Sequence, residues 1–215
     1  MKENAVKQIT VGNLRLTIEQ DSLDESPREW DNMGTIAYKH RDYILGEEKI
    51  DEPIDWLAGM LGLDTEDMEY TNEQRAELEE KFYKGNKFLA LPIFLYDHSG
   101  QTIATTPFGC RWDSGKVGYI YVTEEKVIKE YGDFSEESQA KAIACMESEV
   151  KTFDQYIRGE VYGFREEEVI KCEACGHIEY EQKDSCCGFY GTDWETNGIL
   201  DNVNEVFHEE LKKKG

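Results

Sequence analysis

The chain has 215 residues, with 46 Asp and Glu against 24 Lys and Arg and a net charge of −22. A surface this acidic repels nucleic acid, whose binding relies on Lys and Arg displacing counterions from phosphates, and it repels anionic membranes. Direct binding of nucleic acid and of membranes is therefore not expected, whereas proteins with basic surfaces are attracted.

The length suits a single domain, 1–215, and 39% hydrophobic with 12% aromatic residues argues against wholesale disorder. No apolar run approaches the roughly 20 residues of a membrane span. The opening Met1-Lys2-Glu3-Asn4 lacks the plan of a signal peptide, which points to the cytoplasm. Six cysteines are too few for a disulfide scaffold, so they read as thiols or metal ligands.

In chain order, Ile9 to Ile18 alternates about a Gly12-Asn13 turn signal and predicts a hairpin or a bent strand. Ser26 to Asn32 is irregular. Thr71 to Tyr83 predicts a helix, with Thr71 and Gln74 as capping box and Gly85 as stop. Phe88 to Tyr96 reads as a buried strand with an edge or bulge at Pro92. Thr102 to Phe108 and Val117 to Val122 complete a meander, with turns at His98-Ser99-Gly100 and Asp113-Ser114-Gly115. Thr123 caps a helix that has Glu124 and Glu125 in its first turn. A longer helix runs from Ser135 to just before Gly159, with Ile143, Met146, Val150, Phe153 and Ile157 as its buried stripe. Val161 to Ile170 and Ile178 to Ser185 form a hairpin arm, 160–190, turning at Ala174-Cys175-Gly176. A last helix covers Ile199 to Lys213. The irregular alternation of strands and helices predicts an α+β fold: an antiparallel meander, packed helices and a protruding hairpin.

Three groups of residues are candidates for function. The first is acidic. Glu47 to Glu80 holds thirteen acids and two bases, and Glu47, Glu48, Asp51, Glu52, Asp55, Asp64, Glu66, Asp67, Glu69, Glu73 and Glu77 are the candidate partner-binding surface. The second is a recurring aromatic-Asp-polar triplet: Trp30-Asp31-Asn32, Tyr96-Asp97-His98 and Trp112-Asp113-Ser114. If these loops converge, Asp31, Asp97, His98 and Asp113 form a divalent-metal site for phosphoryl chemistry. The plainer account is turn chemistry, in which each Asp bonds its own downstream backbone. The third is Cys172-Glu173-Ala174-Cys175-Gly176-His177, whose CxxCG spacing fits a zinc knuckle. Cys186 is the expected third ligand, with His177 or Cys187 as the fourth. One structural zinc would then offset repulsion between Glu166 to Glu168 and the facing Glu179 and Glu181. Cys110 and Cys145 read as small core residues.

The combination of Ser-Pro-Arg-Glu-Trp-Asp-Asn (26–32), Leu-Pro to Tyr-Asp-His-Ser-Gly (91–100), Trp-Asp-Ser-Gly with Val-Gly-Tyr-Ile-Tyr-Val (112–122), Val-Tyr-Gly-Phe (161–164) and Asp-Ser-Cys with Gly-Phe-Tyr-Gly (184–191) resembles a family of small proteins carried by bacteriophages and conjugative elements. The resemblance covers about residues 19–191. It departs at Cys187, where the motif has Trp, and it brings no catalytic residue with it. What it implies is context: small acidic proteins on mobile elements resemble inhibitors of host defence, some of which present carboxylates in place of DNA phosphates. The leading expectation is an inhibitor of a host restriction or CRISPR nuclease that acts by DNA mimicry on a basic partner. The alternatives are a metal-dependent phosphodiesterase or nucleotide-acting enzyme using the Asp31, Asp97, His98 and Asp113 loops, and an accessory interaction module of phage or plasmid replication.

Overall fold

A computed structural model describes residues 5–22, 25–63, 70–83 and 87–213. The fold is α+β, as the sequence predicts. Where one domain with an arm was expected, the chain divides into two compact units, 1–26 with 155–215 and 27–154.

The first unit is a four-stranded antiparallel sheet of β1 (Ala5–Val11), β2 (Leu14–Gln20), β8 (Val161–Lys171) and β9 (Ile178–Tyr190), in the order β1-β2-β8-β9. The β1–β2 turn is the predicted one, with Gly12 at φ 63°. Ile9, Leu16, Ile18, Tyr162 and Phe164 cover one core with Ile199, Val203, Phe207 and Leu211. The last four come from a broken segment, α5 (Ile199–Asn202), a 3-10 turn (Glu205–Phe207) and α6 (His208–Leu211), where one helix was expected. The break has a local cause. Val203 is extended, the Asn204 side chain caps the next turn by accepting the Val206 N–H, and the Asn204 N–H donates to Glu166 at 2.6 Å. Asn side chains that bond nearby backbone favour such caps over helix interiors.

The second unit is a five-stranded sheet of β3 (Thr35–Tyr38), β4 (Glu48–Lys49), β5 (Phe88–Asp97), β6 (Gln101–Ala104) and β7 (Ser114–Thr123), in the order β4-β3-β7-β5-β6. Only the β3–β4 pair is parallel. Side chains alternate across β7. Tyr119 packs with α1 (Pro53–Met60) and α2 (Asn72–Tyr83) through Ile54, Leu57, Leu78 and Phe82. Ile120 faces the other way; it and Met146 of α4 (Glu136–Ile157) both lie within 3 Å of where a Cβ on Gly34 would stand.

The expected caps are in place. The Gln74 N–H donates to Thr71 Oγ1 at 3.3 Å and the Thr71 N–H to Gln74 Oε1 at 2.8 Å, a reciprocal box; Gly85 lies outside the described residues. Thr123 caps α3 (Glu124–Tyr131) by accepting the Lys126 N–H. At the start of α4 the Ser138 and Ser135 hydroxyls bond the Asp133 carboxylate and hold its pKa down at about 2. The buried face of α4 is Ser138, Ala142, Met146, Val150 and Phe153; Ile143 and Ile157 are only half-buried. Pro92 sits beside a bulge at Ile93–Phe94, at a level β6 does not reach, so its missing N–H interrupts no ladder. The strand predicted over Thr102 to Phe108 ends at Ala104, and β7 begins at Ser114, inside the predicted Asp113–Gly115 turn.

Candidate functional site

The acidic segment divides into structural and displayed carboxylates. Glu47 accepts from Arg28 Nη2 at 2.5 Å, Arg28 Nε at 2.9 Å and the Ile36 N–H at 2.8 Å. Arg28 is itself buried and also donates to the Gly34 carbonyl at 2.7 Å and to Glu149 at 3.4 Å. Glu149 in turn accepts the Met33 and Gly34 N–H groups. Glu47 is therefore part of the scaffold that fixes residues 27–34. Glu48 accepts the Tyr121 hydroxyl at 3.1 Å; burial, and after it the charge of Glu48, pushes that tyrosine up to about 12. Glu52 pairs with Lys39. Asp55 lies in the first turn of α1, where its charge suits the helix dipole. Asp51, Glu73 and Glu77 are exposed; Asp64, Glu66, Asp67 and Glu69 lie outside the described residues. On α2, Glu73, Glu77 and Glu80 recur at four and three residues on one exposed face. The Glu77–Lys81 pair there is solvent-exposed at 2.7 Å and contributes at most a few tenths of a kcal/mol.

Of the four proposed metal-site residues, Asp97, His98 and Asp113 lie near one another but are not placed as a group that holds a metal. The Asp97 N–H donates to the Asp113 carbonyl at 2.8 Å, and His98 Nδ1 stands 3.6 Å from Asp113 Oδ2. Sequence reasoning missed Tyr43, whose hydroxyl bonds Asp97 and whose pKa is raised by that bond. Asp31 is not part of the group, which corrects the four-residue site. Thr35 is level with Tyr121, near the end of β7, whereas Asp97 is level with Asp113 at its start. Eight strand residues, about 27 Å, separate those levels. Next to Asp31, the Asn32 carbonyl accepts Lys126 of α3, at the far end. Asp113 is also engaged by Cys110, whose thiol donates to it at 3.4 Å. Cys145 likewise donates to Glu149 at 3.7 Å; both cysteines are half-buried at polar partners rather than core residues. Beside this cluster Trp112 and Ile44 stand 95% and 81% exposed.

The cysteines also separate into two places. Cys172 and Cys175 sit in the turn that closes β8 and β9, where Lys171 faces Ile178. Cys186 faces Phe164, seven residues or about 24 Å along the ribbon. Cys187, beside it, has its thiol pKa raised first by the charge of Asp21. The set Cys172, Cys175, Cys186 with His177 or Cys187 is therefore not assembled within one chain. Among the described residues no group of three or more His, Cys, Asp and Glu could hold a metal. Nor does the hairpin need a metal against its own charge, contrary to the expectation from sequence. Glu166 is buried and bonded to Asn204, and Glu167 is bonded by Arg15 at 2.6 Å. Glu168 does face Glu181, but Lys183 lies 2.8 Å from one and 3.2 Å from the other. Lys183 is the extra residue at the bulge between Glu166 and Glu167, a position that frees its side chain to reach both.

The turn itself is well formed. The Gly176 N–H donates to the Cys172 carbonyl and the Cys172 N–H to the His177 carbonyl, each at 2.8 Å, with Gly176 at φ 74°. The Cys175 and Ala174 N–H groups and the Cys175 thiol bond Cys172 Sγ and lower its pKa. Two thiols held side by side in this way can take part in tetrahedral metal ligation but cannot complete it.

Among the described residues no helix is long and apolar enough to cross a membrane. The chain matches no family model, and comparison with curated proteins and with solved structures finds no similar one.

Proposed function

We propose that this protein acts by binding, presenting an acidic surface to a basic nucleic-acid-handling protein such as a restriction or CRISPR nuclease in place of DNA. The observation that carries this reading is the charge surplus: even with one acid assigned to every Lys and Arg, 22 carboxylates remain. The exposed face of α2 supports it with a row of acids about 6 Å of helix rise apart at Glu73 and Glu77. A groove lined with Arg and Lys for a phosphate backbone attracts such a row for the same Coulombic reason.

A second reading, a metal-dependent activity on a phosphodiester or nucleotide, has the nearness of Asp97, His98 and Asp113 behind it and against it that these side chains are not placed as a group that holds a metal. One experiment separates the two. The protein is titrated into DNA-binding and DNA-cleavage assays of restriction and CRISPR nucleases, at low and at moderate ionic strength. Inhibition competitive with DNA is expected, weakened about tenfold or more by the added salt. The Glu73→Lys, Glu77→Lys double variant is expected to lose it while Asp97→Ala keeps it. Inhibition indifferent to salt, or abolished by Asp97→Ala and not by charge reversal on α2, overturns mimicry.

A further inference from the structure

The Cys172–Cys175 turn has the features of half a zinc site. Both thiols project from a knuckle whose amides already bond one sulfur, and the glycine that follows takes the left-handed conformation the knuckle requires. Four-coordinate structural zinc needs two more ligands. Among the described residues the chain does not supply them: Cys186 and Cys187 are held at the other end of the ribbon, and His177 is turned toward Glu179, with Nε2 4.0 Å from its carboxylate.

The position of the turn points to where they come from. β2 stops pairing at Leu14 opposite Glu168 and the Val169 N–H still donates to the Asn13 carbonyl at 2.7 Å, so the last two residues of β8 have only β9 beside them. The knuckle therefore stands at the end of about 7 Å of two-stranded ribbon. Apolar side chains flank it, with Ile170 42% and Ile178 46% exposed. Ile170 faces Glu179 and Ile178 faces Lys171, so one isoleucine lies on each face of the ribbon. A second tip meeting this one covers apolar surface and supplies two sulfurs at once.

We propose that Cys172 and Cys175 of two copies of this chain bind one Zn²⁺ between them, joining the chains tip to tip. Four Zn–S bonds form and four thiol protons pass to solvent, with no change of oxidation state. The main opposition is charge, since each copy carries −22. Contact through the tips limits that repulsion, which falls off within a Debye length of about 8–10 Å in ordinary buffer. The dimer therefore tightens as salt is added. That is the opposite of what binding to a basic partner does, so this inference and the proposed function fail independently.

The test uses the full chain, reduced and stripped of metal, with Zn²⁺ alone as probe. Light scattering is expected to show the mass doubling, with metal analysis giving one zinc for every two chains. Cobalt in place of zinc is expected to give the absorption of a tetrahedral all-sulfur site. Cys172→Ser and Cys175→Ser each abolish both dimer and metal, whereas Cys186→Ser and Cys187→Ser leave them unchanged. One zinc per chain on a monomer, a zinc-bound dimer that survives Cys172→Ser, or a monomer with six reduced thiols and no zinc overturns the proposal.

Discussion

Replacing Arg28 with alanine is expected to destabilise the 27–154 unit by about 3–5 kcal/mol, the cost of removing one partner from a buried ion pair. The Arg28 side chain is 6% exposed and stands between Glu47 and Glu149, which are 31% and 11% exposed. Without it the two carboxylates keep their backbone donors but lose their cation, and the Gly34 carbonyl loses its partner. Lysine is a poor substitute, because one ammonium cannot reproduce the three directions in which the guanidinium donates. Urea unfolding followed by tryptophan fluorescence measures the loss. Arg111→Ala is the control: that side chain is exposed, and its removal stays within about 0.5 kcal/mol. A loss below 1 kcal/mol for Arg28→Ala would mean that the carboxylates relax into solvent and that the network does not hold the loop.

What could be read from the sequence was what depends on neighbours a few residues apart. The Thr71–Gln74 box, the Thr123 cap and the β1–β2 turn are all encoded within four residues, and all are present. The α4 stripe was right in period but off at both ends, because Ala142 rather than the larger Ile143 is buried and Ile157 is only half-buried. Long-range placement was not legible. Arg28 lies in a turn-rich stretch whose composition gives no sign that Glu47 and Glu149, 19 and 121 residues away, converge on it. β3 is four residues long and was missed, as was α1, although Pro53 at its first turn is a standard start signal. The cysteine ligand set failed for a related reason. The spacing from Cys175 to Cys186 looks short in sequence, but an extended strand carries those residues away from the turn at about 3.4 Å each. The triplet loops failed halfway: two of them close neighbouring strands, while the loop with Asp31 enters the sheet from the opposite end.

Gly118→Ala is expected to cost about 3 kcal/mol or more, from a single added methyl group. Gly118 lies in β7 between Tyr38 of β3 and Ile93 of β5. A Cβ built there would fall 2.0 Å from the Ala37 carbonyl oxygen and 2.8 Å from the Tyr38 Cα. These are backbone atoms of a paired strand, so no rotamer change relieves the clash; β3 must separate from β7 and break its ladder. Separation also disturbs Ile36, whose N–H is held by Glu47, and Ile120, buried on the opposite face from Tyr119. Gly115, three residues earlier in the same strand, is the matched control, since a Cβ there meets nothing within 4 Å. Gly115→Ala is expected to change stability by no more than about 0.5 kcal/mol. Thermal and urea unfolding of the two variants provide the comparison. Equal midpoints would mean that the β3–β7 spacing is wider than described and that the glycine of the Val-Gly-Tyr-Ile-Tyr-Val motif serves something other than close strand packing.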